Sequence, residues 1–565
     1  MDAIHKYGCR IFTSYYSFFK VLENAARNCT SEDSGYYKKN QALIQQKDIF
    51  LKNFKRWTLS IVIISTLLQM LFFPTIANAV GSFSAFLGWY IICTALLVEK
   101  NLYNYTISTM VILGYGFVQY FMPLVFTLAE GKPIVYNLNY PITVFMHSLL
   151  CLTAFLISHS IYKYLEVLLI GHRKWLQYKL SQLHIFAPLS DKQVWIIGGI
   201  GFVGILFRYV GAYTGEEEAA EASRGVLSSF LIGFMPYAYA PLLLLIRPMY
   251  NSYETKKPSI LLIILYVIIL IVVGIVGNSR GLFMRGIIVL AIAYFLGLLL
   301  GIFSSKIING KNVLIAGLGV FIITGPLADL ATAMVIVRSQ RYDSDSVTLL
   351  NETLNEYSNE EAIDEYNNSR LEIVSSEWDE TYLDNVFLSR FSNLKFADLS
   401  LDYAFKIGVP NEDMQGFAID RILITLPQPL ISALGINFDK TKAFGAGSYG
   451  DQFYYRYTGN ATVLGSFRVG HFFGTGMAIF GIWYVPLLVI FTIPLYFLGN
   501  LLVLYNGKTI KFSFLGLINL GTFFLFWGFS SQSESQLNVI AFVFRAYPQL
   551  ILLFFIIMII VRKIK

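Results

Sequence analysis

The chain has 565 residues, of which 55% are hydrophobic and only 14% are charged. An average globular protein carries about a quarter charged residues, so this composition excludes a soluble globular protein and indicates a polytopic membrane protein. The net charge of +7 is accounted for by basic loops between apolar segments, which argues against a nucleic-acid partner.

Long apolar segments predict an all-α fold of about twelve transmembrane helices. Residues 1–56 lack a signal-peptide pattern before the first span and are expected to form a cytoplasmic tail. Spans one to nine then occupy 57–337, a large, partly helical outer loop occupies 338–470, and spans ten to twelve with a short tail occupy 471–565. The predicted spans are 57–78, 83–99, 106–127, 140–162, 193–213, 225–246, 258–277, 281–304, 312–337, 471–498, 510–529 and 537–561.

Lysine and arginine orient these spans, because basic residues in short loops resist translocation. With the N-terminus in the cytoplasm, every strongly basic short loop lies inside, and an even number of spans returns the C-terminus to the same side. The opposite face then receives the tight 277–281 junction, the acidic 216–218 loop, the 530–535 turn and the large loop. Both termini are therefore predicted to be cytoplasmic.

Cysteine usage and motif content limit the chemistry. Two of the four cysteines, Cys9 and Cys29, lie in the tail, and the other two, Cys93 and Cys151, lie within spans. The large loop has none, which excludes a disulfide framework or a thiolate metal site there. The sequence also lacks a P-loop, a His-Glu-x-x-His motif and a paired cysteine motif, so no cofactor and no metal are expected.

The large loop divides by composition. Residues 343–413 are acidic and polar, which is typical of amphipathic helices or solvated turns. Residues 416–470 are rich in aromatics, glycines and isolated cations, as at Tyr455 and Arg456. Tyrosine rings stack on sugar C–H groups and guanidinium groups bind phosphate oxygens, so this half is a candidate glycan-binding surface. A tyrosine-rich lid in the lipid headgroup zone is the alternative interpretation.

Arginines collect on the predicted outer side, where they indicate binding of a polyanion such as a lipid-linked pyrophosphate. Two of them, Arg285 and Arg545, fall within predicted spans and are expected to face a cavity, because an arginine in hydrocarbon is costly. Ion pairing within the bundle, for example with Asp329, or snorkelling to headgroups is the structural alternative. The outer set comprises Arg208, Arg280, Arg285, Arg338, Arg341, Arg468 and Arg545.

One histidine joins this set. Of the six histidines, only His471 is predicted at the outer boundary, three residues after Arg468. If span ten begins there as a helix, the spacing places both side chains on one face. A neutral imidazole accepts a proton from a sugar hydroxyl, whereas an imidazolium hydrogen-bonds a phosphate. Simple capping of the helix is the alternative role.

Two short motifs stand out: Ser279-Arg280-Gly281 at an outer hairpin two spans before the large loop, and Val469-Gly470-His471 at the end of the loop, before a run of small residues. With the layout of 250–545, they resemble the O-antigen polymerase and ligase superfamily of integral glycosyltransferases. The resemblance implies that Arg280 and Arg468 bind the undecaprenyl-pyrophosphate carrier, with His471 and Arg280 as candidate catalytic residues. His471 is followed by Phe472 where the ligase branch has asparagine, which favours a polymerase.

The resemblance implies polymerisation of undecaprenyl-pyrophosphate-linked oligosaccharide repeat units on the outer face of the bacterial inner membrane, for O-antigen, capsule or exopolysaccharide. Because pyrophosphate is already an activated leaving group, the protein needs only to stabilise its charge and align the acceptor hydroxyl. The expected partners are the lipid-linked oligosaccharide, membrane lipid and a chain-length regulator protein. An O-antigen ligase and a lipid-linked oligosaccharide flippase or transporter are the alternatives, although a flippase is expected to carry charge through the bundle and to lack the large loop.

Overall fold

The computed structural model describes residues 33–209, 226–252, 257–277, 279–304, 325–337, 346–363, 378–426, 428–440, 446–466, 468–528 and 531–563. Several predicted features lie outside these residues: 1–32 of the tail, the 216–218 loop, 312–324 of span nine, and both Arg338 and Arg341. Helices make up most of the described chain, in agreement with the predicted all-α class.

The first half of the chain is a series of helices with two π-helical turns and one long 3-10 helix. The elements are α1 Asp33–Phe72, α2 Ile76–Ile91 followed by a π turn at Ile92–Leu96, α3 Glu99–Asn104, α4 Thr106–Gly116 followed by a π turn at Phe117–Phe121, α5 Met122–Ala129, α6 Pro141–Leu168, α7 Ile170–Gln182, α8 Asp191–Tyr209, α9 Val226–Ile232, a 3-10 helix at Met235–Met249, α10 Ile260–Val276, α11 Arg280–Leu299 and α12 Pro326–Ile336.

The second half contains the large loop, a short hairpin and the last helices. Its elements are α13 Ser346–Tyr357, α14 Val386–Ser389, α15 Leu394–Ile407, α16 Glu412–Thr425, α17 Gln428–Ala433, α18 Tyr449–Thr458, α19 Phe472–Phe480, α20 Tyr484–Leu501, β1 Val503–Tyr505, β2 Ile510–Phe512, α21 Phe514–Ile518, α22 Leu520–Phe524, α23 Asn538–Ala541 and α24 Tyr547–Arg562, with 3-10 turns at Ala461–Val463, Gly481–Trp483 and Ser531–Glu534 and a π turn at Phe542–Ala546.

Within the described residues, seven helices are long and apolar enough to cross a membrane, and each overlaps a predicted span. Large apolar side chains such as Leu67 and Leu71 of α1 are exposed along these helices, as a lipid-facing surface requires. The chain is therefore a helical membrane protein. The seven are Ile49–Phe72, Ile76–Leu96, Thr106–Ala129, Pro141–Leu168, Phe230–Met249, Phe472–Leu501 and Asn538–Arg562, with shorter apolar helices at Ile260–Val276 and Met284–Leu299.

Residues 510–528 do not form the single helix predicted over 510–529 for span eleven. β1 and β2 pair antiparallel, and two short helices, α21 and α22, follow. The side chain of Asn506 accepts hydrogen bonds from two backbone N–H groups of the hairpin turn, and Gly507 there has a φ of 86°. The hydroxyl of Ser513 then caps α21. These turn and capping residues interrupt the apolar pattern that suggested one span.

Helix α15 of the large loop packs against α19, the beginning of predicted span ten. A Cβ atom on Gly474 would stand 2.0 Å from the carbonyl oxygen of Ser400, so the two helices cross at a distance that only glycine permits. Side chains from Leu394 to Ala404 are buried in this packing. The small-residue run after His471 thus has a packing role.

The first half of the large loop is also fastened to the connection between α5 and α6. The Asp398 carboxylate accepts the backbone N–H groups of Asn139 and Tyr140, both at 2.8 Å, immediately before α6 begins. The hydroxyl of Tyr382 donates to the carbonyl of Ile134 at 2.6 Å. The acidic half of the loop is therefore docked on the bundle at these points, where the sequence suggested only amphipathic helices or solvated turns.

Candidate functional site

The segment leading into α19 carries Arg468, one of the predicted carrier-binding residues. Its guanidinium lies 3.7 Å from the carboxylate of Asp451 and 4.4 Å from the centre of the Tyr454 ring. A Cβ atom on Gly450 would stand 2.4 Å from the Arg468 carbonyl oxygen, so glycine lets α18 lie against this segment. The Arg468 side chain is thus held by an acid and an aromatic ring of the loop itself.

The loop residues Tyr455 and Arg456, predicted to contact glycan or phosphate, lie on α18. The guanidinium of Arg456 pairs with the carboxylate of Asp413 on α16 at 2.9 Å. Tyr455 is partly buried. The structure therefore places Arg456, like Arg468, in an ion pair within the large loop, and the Arg456 pair joins the second half of the loop to the end of its acidic half.

His471 precedes α19 as its N-cap, with φ −138° and ψ 142°. Residues 468–471 are not helical, so the helical spacing of three that would place Arg468 and His471 on one face does not apply. The imidazole Nδ1 accepts the backbone N–H of Phe473 at 3.3 Å, which is the capping contact.

The second nitrogen of His471 contacts Gln119 in the span Thr106–Ala129. Its Nε2 lies 3.2 Å from the Gln119 amide, and the imidazole is fully buried. Because Nδ1 is an acceptor, the neutral ring carries its hydrogen on Nε2, and the amide oxygen of Gln119 is the chemically consistent partner. Both ring nitrogens are engaged, so the geometry favours a structural role for His471.

A carboxyl group that the sequence did not single out lies beneath the loop. Glu534 ends the 3-10 turn Ser531–Glu534, and its Oε2 accepts the backbone N–H of Tyr449 at 3.4 Å. The hydroxyl of Thr475 on α19 donates to the Glu534 carbonyl at 2.6 Å. Glu534 thus connects the large loop, α19 and the turn before α23, and it is partly buried there.

The surroundings of Glu534 raise its pKa to about 7. Desolvation by the surrounding protein is the largest cause, and the neighbouring carboxylates of Asp451 and Glu380 act in the same direction. The Tyr449 N–H and the guanidinium of Arg421 oppose this rise in pKa. The group therefore exchanges its proton near neutral pH, as a general base or acid must.

Arg421 on α16 completes this cluster. Its guanidinium lies 5.0 Å from the centre of the Phe417 ring, and Phe417 packs edge-on against Tyr449 with ring centroids 5.0 Å apart. This stacking orders the guanidinium, whose positive charge acts on the Glu534 carboxyl from beyond ion-pair distance. We call Glu534, Arg421, Tyr449 and Thr475 the Glu534 site.

The other predicted arginines lie elsewhere. Arg285 on α11 and Arg545 in the π turn Phe542–Ala546 are both exposed, and within the described chain no hydrogen bond or ion pair joins either to Glu534 or His471. Arg208 lies in the last turn of α8. Arg280 is the first residue of α11, and its side chain lies outside the described part of the structure.

Sequence reasoning missed Glu534 and Arg421. The signal for Glu534 was available, because it is the only acid in a short serine-rich turn between two apolar segments. Arg421 lies in a mixed polar and apolar stretch that gives no comparable signal.

Among the described residues, no cluster of three or more His, Cys, Asp or Glu side chains has the arrangement of a metal site. Compared with known proteins, the chain matches no family model, no curated protein and no solved structure.

Proposed function

We propose that this chain is an integral-membrane glycosyltransferase that polymerises undecaprenyl-pyrophosphate-linked oligosaccharide repeat units on the outer face of the bacterial inner membrane. The observation that carries the proposal is the Glu534 carboxyl beneath the large loop, with a pKa of about 7 that desolvation raises and the charge of Arg421 opposes. Such a carboxyl is matched to take a proton from a sugar hydroxyl near neutral pH. The guanidinium supplies the positive charge that a departing pyrophosphate requires.

Contacts between loops support the proposed sidedness, in which both termini lie in the cytoplasm. Segments on the proposed outer side contact one another, since the large loop reaches both the α5–α6 connection and the turn at Glu534. Segments on the proposed inner side do the same: Gln177 donates to the Val503 carbonyl at 2.9 Å, and Lys511 donates to the Pro248 carbonyl at 3.3 Å. The positive-inside rule assigns this second, basic group to the cytoplasm.

In the proposed reaction, an acceptor sugar hydroxyl attacks C1 of the lipid-linked glycan. The Glu534 carboxylate takes the hydroxyl proton while the new glycosidic C–O bond forms. The bond between C1 and the pyrophosphate oxygen breaks, and its electron pair leaves with undecaprenyl pyrophosphate. Protonated Glu534 then returns its proton to water. Because the donor is already activated, alignment and charge stabilisation are the protein's tasks.

The remaining groups have supporting roles. The Tyr449 backbone N–H orients the Glu534 carboxylate, and the Arg421 guanidinium offsets the negative charge that grows on the leaving pyrophosphate. The resemblance in sequence assigns a second phosphate contact to Arg280. The ion pairs of Arg456 and Arg468 hold the second half of the loop in the shape that brings Tyr449 to Glu534.

Deletion of the gene and complementation test this proposal on one gel. Deletion is expected to leave single-repeat glycans on the acceptor and to abolish long polymer, and the wild-type gene restores the polymer. Glu534→Gln, which keeps the shape but cannot accept the proton, fails to restore it. Glu412→Gln, at an exposed glutamate in the first turn of α16, is the matched control and restores it. Loss of every repeat on deletion points instead to a ligase or a flippase.

A further inference from the structure

Helix α7 begins directly where the long membrane span α6 ends. α6, Pro141–Leu168, has 28 residues. At 1.5 Å per residue, a helix of that length extends about 42 Å. A bilayer is about 30 Å thick in its hydrocarbon core and about 40–45 Å thick with both headgroup layers. The end of α6 therefore reaches a headgroup layer, and α7, Ile170–Gln182, begins there.

One face of α7 is fixed to the end of another membrane helix, α20. The Gln177 amide donates to the carbonyls of Leu501 and Val503, at 3.4 and 2.9 Å. One turn earlier, the Arg173 guanidinium donates to the Asn500 carbonyl at 3.4 Å. Because Leu501 ends an apolar segment long enough to span a bilayer, α7 lies at the depth where this segment leaves the hydrocarbon.

The opposite face of α7 is exposed and carries two aromatic rings between two lysines. Trp175 is 52% exposed and Tyr178 is 49% exposed. At about 100° per residue, the two aromatic residues lie about 60° apart around the helix, with Lys174 and Lys179 about 40° beyond them on either side. Both lysines are exposed, and no ion pair within the described residues includes either of them. We call these four residues the α7 face.

The exposed apolar surface of α6 continues onto the α7 face. Tyr164, Val167 and Leu168, in the last turns of α6, are 60–67% exposed. A contiguous apolar surface of this kind marks a contact with lipid. Tryptophan and tyrosine collect in the headgroup layer, and lysine lays its apolar stem along such a surface while its ammonium group reaches the lipid phosphates. The composition of the α7 face therefore suits the headgroup layer in which α7 begins.

The charge of the α7 face selects among the groups that could cover it. Two ammonium groups without an acidic partner attract anionic headgroups, by about fivefold in affinity for each lysine, and zwitterionic headgroups carry no net charge to attract. A protein partner fits less well, because the cores of protein interfaces are depleted of lysine.

We propose that the α7 face binds anionic phospholipid in the headgroup layer at the end of α6. Trp175 and Tyr178 enter the layer, and Lys174 and Lys179 contact the lipid phosphates from either side. This inference goes beyond the proposed function and does not depend on it, since a lipid contact is open to any helical membrane protein.

Quenching of tryptophan emission by brominated lipids tests the inference on the full-length protein in detergent. The probes are brominated phosphatidylglycerol, which is anionic, and brominated phosphatidylcholine, which is zwitterionic. The chain has seven tryptophans, so the signal of Trp175 is the difference between the wild type and Trp175→Phe. We expect phosphatidylglycerol to quench Trp175 at a concentration at least about tenfold lower than phosphatidylcholine does.

The two lysines are then replaced together, and Trp175 is read in the same way against Trp175→Phe in the same background. Lys174→Gln with Lys179→Gln is expected to remove the preference for phosphatidylglycerol and to leave the quenching midpoint of phosphatidylcholine unchanged. The matched control is Lys508→Gln with Lys563→Gln, which removes two exposed lysines outside α7 and keeps the preference of the wild type.

Several outcomes overturn the inference. Equal quenching midpoints for the two lipids in the wild type show that the face does not select anionic headgroups. Absence of Trp175 quenching by either lipid shows that lipid does not reach the face, and elution of that protein as a dimer assigns the face to a second copy of the chain. Loss of the preference in the control pair shows that net charge, and not the α7 face, attracts the lipid. Should Trp175→Phe not fold, Trp175→Tyr removes the same indole and carries the same expectations.

Discussion

The backbone N–H of Tyr449 donates to the carboxylate of Glu534 at 3.4 Å, across 85 positions of sequence. Tyr449 is the first residue of α18, so the donated hydrogen bond comes from a helix N-terminus, where N–H groups are free and the helix dipole is positive. This contact favours the ionised carboxylate, although desolvation by the surrounding protein outweighs it and the pKa remains raised. The position of the large loop therefore affects how readily Glu534 binds a proton.

The pH dependence of polymer formation follows from the raised pKa of Glu534. A general base must be ionised, and the folded-state pKa of Glu534 is about 7. We expect the initial rate in membranes to rise with pH, to reach half its maximum near pH 7 and to decline in proportion to ionisation below it. A rate that stays constant from pH 5.5 to pH 8.5 would argue against Glu534 as the base.

Replacement of Arg421 is expected to change both the rate and the pH profile. Desolvation raises the pKa of Glu534, and the positive charge of Arg421 lowers it. Arg421→Gln therefore raises this pKa further and moves the midpoint of the pH–rate curve to higher pH. The variant also loses charge stabilisation of the leaving group, and we expect at least a tenfold lower rate at pH 7. Glu412→Gln, at an exposed glutamate in the first turn of the same helix, serves as the control and keeps the midpoint of the wild type. An unshifted midpoint in Arg421→Gln contradicts the proposed coupling.

His471 is expected to affect stability more than chemistry. His471→Ala removes a helix cap and a fully buried ring, so it should lower the melting temperature, the cap alone contributing about 0.5–2 kcal/mol. Asparagine is a good N-cap residue, and His471→Asn should recover part of that loss. Polymer formation by both variants is expected to follow the amount of folded protein with an unchanged pH profile. A well-folded His471→Asn protein without any activity would instead make the imidazole catalytic.

Arg280 tests the resemblance to the polymerase superfamily. A pyrophosphate favours planar, bidentate donors, and lysine keeps only the charge, so Arg280→Lys is expected to lose most polymer while the protein remains inserted. Arg285 on the same helix is five residues further on, about 140° around the axis, and Arg285→Lys should be mild. Glycan gels of the two variants provide the comparison. Full activity of Arg280→Lys shows that the phosphate is held elsewhere, with Arg421 the remaining candidate.

The sequence predicted the fold class and the approximate place of most helices, because long apolar segments report directly on lipid-spanning helices. It failed at 510–529, where Asn506, Gly507 and Ser513 impose a hairpin and a new helix start on an apolar stretch. The sequence also did not predict that Asp398 docks the large loop on the connection before α6. Those contacts join residues more than 250 positions apart, and local patterns carry no information about them.

The site was predicted less well than the fold. An arginine near a predicted membrane surface looks available for a ligand, yet Arg456 and Arg468 pair with Asp413 and Asp451, and neither ion pair is visible in the sequence. The shifted pKa of Glu534 depends on groups brought together from three separate segments of the chain.

Reconstituted polymerisation tests the central claim most directly. Purified wild-type protein in proteoliposomes is given only the lipid-linked glycans extracted from cells that lack the chain, and both the polymer ladder and the released undecaprenyl pyrophosphate are measured. We expect the wild type to form a ladder with one carrier released for each bond made, and Glu534→Gln to bind the glycan without forming either product. Failure of the folded wild type to form a ladder, or a full ladder from Glu534→Gln, contradicts the account.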